Sequence, residues 1–128
     1  MSQPILLCVD DRPALLELRK TTLEGSGYSV MTATDALSAI AILEKARVAA
    51  VVLEYKFEGI DAEAVAWLIK KRFPSEPIVL MSAYSDVPER VLWLVDEYVM
   101  RSEPADSLLR VIARVIGLSA AKRAAVAA

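Results

Sequence analysis

AVVLEYKFEG, residues 50–59, carries four apolar side chains straight into a carboxylate, Glu54, and then into a polar loop that closes on Gly59. A short, unbroken apolar run bounded by turn residues reads as a strand buried on both faces. The run starts at Val48, and VAAVVL (48–53) is the most uniformly apolar of the strand candidates. With the strand ending at Leu53, Glu54 is expected just past it, an acid presented at a sheet edge.

The pattern repeats on both sides of this stretch. Upstream, ILLCV (5–9) and YSVMTA (28–33) read as strands; downstream, PIVLMS (77–82) and EYVM (97–100) do. Helical patterns fill the gaps. Pro13 suits the first turn of a helix running to Glu24, which Gly25 and Gly27 stop. Thr34 is the expected N-cap of a helix over 35–46, and Asp61 that of a helix to Arg72, ended by Pro74. A helix over 87–95 and another over 104–117 follow. The alanine-rich tail, residues 118–128, either extends that last helix or frays. Strands alternating with helices predict an α/β fold with a parallel sheet. The expected architecture is a flavodoxin-like, doubly wound (βα)5 fold with strand order 2-1-3-4-5, which places a crevice at the carboxyl ends of strands 1 and 3.

A chain of 128 residues reads as one domain, residues 1–117, with 118–128 as an extension. Fifteen basic residues against seventeen acidic give a net charge of −2, with no basic stripe, so no nucleic-acid partner is expected. No apolar run approaches membrane-spanning length and the N-terminus lacks a signal pattern, so the expected setting is cytoplasmic. Cys8 is the only cysteine and sits in an apolar strand, so it reads as a core residue. Histidine is absent, which excludes Ser-His-Asp triads, Cys-His pairs and His-ligated zinc. No glycine fingerprint for dinucleotides or a P-loop exists, and the acidic DDRPA turn (10–14) does not suit a flavin phosphate cradle.

The carboxyl ends of the expected strands carry the chemistry. Strand 1 ends in Asp10 and Asp11, strand 3 in Glu54, strand 4 in Ser82, and strand 5 is followed by Arg101. Three clustered acids call for a cation, and an all-oxygen set favours Mg²⁺. Ser82 and Arg101 are placed to contact a phosphoryl group beside it.

In this order and on these strand ends, the residues resemble the receiver domain of bacterial two-component response regulators, over about residues 4–117. The resemblance implies an Mg²⁺ site at Asp10, Asp11, the acceptor position Glu54 and the backbone carbonyl of Lys56. It implies phosphoryl contact by Ser82, a rotamer switch at Tyr98, and a cation at Arg101. The family loop reads Asp-x-x-Met-Pro-x-Met-Asp-Gly; here it runs from Glu54 to Ala62 with the apolar and acidic positions largely kept. Two departures matter. Glu54 replaces the acceptor Asp, and Arg101 replaces the Lys.

Glu reaches about one C–C bond further than Asp, and a misplacement of roughly 1 Å can cost about a hundredfold in an in-line transfer. Arg offers a planar fork that Lys lacks. The two changes read as compensating: Glu54, taking hydrogen bonds from Ser82 and a fork from Arg101, mimics a phosphorylated site. Arg101 is also large enough to displace a metal. The expectation is a single-domain receiver in a phosphorelay, acting as a phosphorylation-independent protein-interaction module (a pseudo-receiver) and not an enzyme. The alternative is a working Mg²⁺-dependent receiver phosphorylated on an acidic residue of the same pocket, with weak self-phosphorylation. Plainer readings stay open: Asp10 and Asp11 charging a helix N-terminus, Ser82 as a turn residue, Arg101 as a surface cation, Tyr98 as strand packing, and Glu54 as a static ion-pair partner.

With no output domain expected after residue 128, output calls for association with a sensor kinase or a downstream effector. Receivers commonly use the face of helix 4, strand 5 and helix 5, and a homodimer is a further option. Helical spacing puts Val87, Val91, Leu94 and Val95 on an inward face and leaves Leu92 and Trp93 off it; Trp67 faces away from Val65, Leu68 and Ile69. Trp93, Leu92 and Trp67 are therefore the interface candidates, against partial cover by neighbours as the alternative.

Overall fold

Short apolar strands joined by helices leave few topologies, and the chain adopts an all-parallel one. The computed structural model describes residues 3–56, 61–83 and 86–127. Among them, β1 (Ile5–Val9), β2 (Ser29–Ala33), β3 (Ala50–Tyr55), β4 (Ile78–Ser82) and β5 (Glu97–Met100) form one sheet, ordered β2-β1-β3-β4-β5 and parallel throughout. Between and after them run α1 (Pro13–Glu24), α2 (Ala36–Lys45), α3 (Ala62–Arg72), α4 (Glu89–Leu92) and α5 (Ala105–Ala127). No helix among the described residues is long and apolar enough to cross a membrane.

Strand alternation divides the core in two. Leu6, Cys8, Val52 and Val79 pack with Leu16 and Leu23 of α1 and Ile112 of α5. Leu7, Val9, Leu53 and Leu80 pack with Ile40 of α2 and Ile69 of α3. Both faces are covered, which is why the strands are apolar without alternation.

Several boundaries differ from the sequence expectation. β3 lies two residues later than 48–53, because Tyr55 is buried and pairs with Ser82. Glu54 is thus inside the strand, not past it. The N-cap of α2 is Asp35 rather than Thr34: its carboxylate accepts the Ser38 amide at 2.7 Å. That hydrogen bond holds the exposed Asp35 carboxyl below its usual range. Asp61 caps α3 as expected, accepting the Ala64 amide at 3.1 Å. α4 is one turn instead of the 87–95 helix. Pro88 precedes it, and the Leu94 amide bonds back to Val91 O at 3.0 Å, a tight turn that brings the chain to β5 at Glu97. α5 runs past Gly117 to Ala127, since the alanine-rich tail has high helix propensity. Gly27 sits at φ 99°, a conformation that glycine adopts without strain, and turns α1 back toward β2.

Cys8 is wholly buried in β1, and burial pushes its thiol up to about 12. At pH 8 the thiolate is roughly one part in ten thousand, and only the thiolate is nucleophilic. Cys8 is therefore expected to resist iodoacetamide in the native protein and to react fully in urea, read by intact mass. Prompt native alkylation would show that β1 opens without global unfolding.

Candidate functional site

Register brings the strand ends level. Val9 aligns with Leu53, Tyr55 with Ser82, and Ser82 with Met100, so Asp10 emerges beside Glu54. The Arg101 amide donates to Ser82 O at 2.7 Å, which ties the start of the next loop to β4. Asp10, Glu54 and Ser82 are all buried polar residues, an unusual set in so apolar a sheet.

Alternation then separates them. Glu54 aligns with Met81 and follows Ala50 and Val52 onto the α1–α5 face; Asp10 follows Leu6 and Cys8 there. Ser82 follows Ile78 and Leu80 onto the other face, where it hydrogen-bonds with Tyr98. Burial raises the Tyr98 phenol above its ordinary range, the Ser82 bond opposes this, and the charges of Glu103 and Asp86 add to the rise. Tyr98 packs half-buried against the core on that side.

Glu54 meets cations instead of neutral donors. Its Oε1 accepts from Arg101 Nη2 and, at 3.3 Å, from Arg19 Nη2, while Arg12 Nη2 lies at 3.9 Å. The Arg101 contact is single-point: Arg101 Nε and Glu54 Oε2 are buried without hydrogen-bond partners, so the expected bidentate fork does not form. Asp10 Oδ1 accepts the Arg12 amide at 2.9 Å, and its Oδ2 faces Arg19 Nη1 at 3.8 Å. Lys56, expected to offer only its backbone carbonyl, sends its ammonium between Asp10 Oδ1 and Asp11 Oδ1, donating to both. Residues 57–60 of the family loop lie outside the described residues.

Three carboxylates, Asp10, Asp11 and Glu54, are thus faced by Arg12, Arg19, Lys56 and Arg101. Such a cluster neutralises the acids with no added ion, as buried charges require. Mg²⁺ needs several oxygens in octahedral array. Here Asp10 Oδ1, Asp11 Oδ1 and Glu54 Oε1 are taken by ammonium, amide and guanidinium donors, Asp10 Oδ2 and Glu54 Oε2 are buried without hydrogen-bond partners, and no group of three acids among the described residues is set to hold a metal. In this arrangement the residues do not fit Mg²⁺.

Sequence reasoning overlooked Arg12, Arg19 and the Lys56 side chain. Two of these three, Arg19 and Lys56, carried a signal. Arg19 falls at i+3 from Leu16 and i−4 from Leu23, a cation on the inward stripe of α1. Lys56 is two residues after Glu54 and shares its side of the strand.

Of the interface candidates, Trp93 is 80% exposed, Trp67 52% and Leu92 38%. Lys71 Nζ lies 4.8 Å from the Trp67 ring centre, which partly occupies that face.

The family model that describes the response regulator receiver domain matches residues 6–109. The transcriptional regulatory protein GlrR of Escherichia coli K12 is 31% identical over 86 residues, covering 67% of this chain but 19% of its own length. The response regulator TrrA of Thermotoga maritima, crystallised with Mg²⁺-BeF, is 31% identical, with 88% of this chain and 99% of that one covered and a TM-score of 0.81. TrrA is also known in complex with the histidine kinase ThkA. NtrX of Brucella abortus, with ADP, is 27% identical over 96% of this chain and 29% of its own, at a TM-score of 0.86. The chain thus spans about a fifth of GlrR and nearly all of TrrA. The order of the five strands, the acids and hydroxyl at their carboxyl ends, and these matches agree: this chain belongs to the response regulator receiver domains of two-component systems.

Proposed function

We propose that this receiver serves two-component signalling as a phosphorylation-independent protein-interaction module. The observation that carries the reading is the state of Glu54: a wholly buried carboxylate at the acceptor position, its Oε1 held by Arg101 and Arg19. An acid so engaged is a poor nucleophile, because its charge is already neutralised and its reach exceeds that of Asp. The cations that would receive a phosphoryl group are instead spent on Glu54 itself. Binding to a kinase or an effector is then the output, as ThkA binds TrrA; for this chain the face we assign to it is that of α4, β5 and α5, where Leu92 and Trp93 at the end of α4 are exposed. Exposed aromatic side chains suit such anchoring. In this reading the protein is not an enzyme, and a homodimer through the same face is a second form of association.

The rival reading is phosphorylation on another acid of the pocket. Asp11 is the one to carry it, since its side chain is 29% exposed while those of Asp10 and Glu54 are closed off. Intact mass after incubation with Mg²⁺ and a small acyl phosphate decides. No adduct is expected on the wild type. A phosphoryl adduct on the wild type overturns the proposal, and peptide mapping then distinguishes Asp11 from Glu54. Run alongside, an adduct on Glu54→Asp but not on the wild type would show that the acceptor alone was lost.

A further inference from the structure

We infer that Lys56 is a built-in cation that takes the place of the divalent metal, so that the acid pair is ordered by an ammonium on the chain itself. The placement carries it. Lys56 Nζ donates to one oxygen of Asp10 and one of Asp11, a position between the two acids. Its side chain is only 14% exposed, so the charge is committed there rather than solvated. Lys56 directly follows β3, and two residues before it Glu54 points to the same α1–α5 side; the strand thus supplies an acid and a cation from one edge. Asp10 Oδ1 also takes the Arg12 amide at 2.9 Å, while Asp10 Oδ2 is buried without a hydrogen-bond partner and has only the charge of Arg19 Nη1 near it, at 3.8 Å.

Charge decides between ammonium and metal. Three carboxylates stand against four cations, a local balance of +1. A divalent ion would raise it to +3 unless a cation left. To enter, the metal must displace Lys56 from both acids and strip its own tightly held water. An ammonium already in place needs neither step. Lys is suited to this role because its charge is compact and has three donors on a flexible stem. The consequence is a pocket whose arrangement does not depend on the metal.

The inference concerns the site of the proposed function but does not depend on loss of phosphorylation. A metal titration tests Lys56; the phosphodonor experiment tests Glu54; either reading can fail alone.

The test is Mg²⁺ binding to the full chain by isothermal titration, paired with the thermal midpoint with and without millimolar Mg²⁺. The wild type, Lys56→Met, Lys56→Gln and Lys56→Arg are compared. Wild type and Lys56→Arg are expected to show no Mg²⁺ heat and no midpoint change. Lys56→Met keeps the stem without the charge, so its midpoint should fall without Mg²⁺ and recover with it. Its Mg²⁺ affinity should exceed that of the wild type by at least about tenfold, since a unit charge about 4 Å from a doubly charged ion is removed. Lys56→Gln should behave likewise, so one folded neutral variant suffices. Wild-type binding as tight as that of the neutral variants would overturn the inference. So would neutral variants that fold yet give no Mg²⁺ response.

Discussion

Arg19→Met should cost the protein about 3 kcal/mol of stability, the low end of the loss seen when one partner of a buried ion pair is removed. Arg19 stands on α1 with its side chain 10% exposed and reaches two carboxylates, Glu54 Oε1 at 3.3 Å and Asp10 Oδ2 at 3.8 Å. Methionine fills similar space without charge, so both acids lose a partner in a place water scarcely enters. Arg101 and Lys56 remain to hold them, which keeps the loss from the top of the range. For a chain of this size the thermal midpoint should fall by about 10 °C. Urea unfolding would show a lower midpoint at unchanged slope. A single-variant loss well under about 1 kcal/mol would mean that the cluster is hydrated and its pairs contribute little.

Ile112→Ala is the second large effect, at about 3 kcal/mol, within the range for cavities left in packed cores. Ile112 is wholly buried where α5 meets the sheet, in the cluster with Cys8, Val52 and Val79. Removing residues 118–128 should by contrast change stability by less than about 1 kcal/mol. Leu118 is 55% exposed, and no residue beyond Val115 and Ile116 belongs to that core among the described residues. The expected receiver boundary at Gly117 rests on this contrast. A truncation as costly as Ile112→Ala would move the boundary into the tail. Denaturant curves on the two variants decide it.

Much of the fold was legible because its signals are local. Apolar runs of five or so residues, Pro13 at a helix start and Asp61 at another gave the elements and their alternation. Alternation with short connections leaves one favoured sheet order. Boundaries slipped where a tertiary partner decided them. Tyr55 extends β3 because Ser82 lies opposite it, and α4 stops at one turn because the chain must arrive at β5. The alanine-rich tail is helical, as its high helix propensity favours.

The candidate site divides the same way. From its own residues the sequence determined that acids, a hydroxyl and an arginine gather at one sheet edge, Glu54 and Arg101 among them. Those follow from strand ends alone. Which charge meets which was decided only by the tertiary structure. Alternation sends Glu54 and Asp10 to the α1–α5 face and Ser82 to the other, so Ser82 pairs with Tyr98 while Glu54 meets Arg19 from a helix thirty-five residues away in sequence. Lys56 reaches back across forty-six residues to Asp10. A side-chain contact between elements depends on register, face and helix rotation together. No local pattern encodes all three, because electrostatic attraction acts through space and is indifferent to the order of the chain.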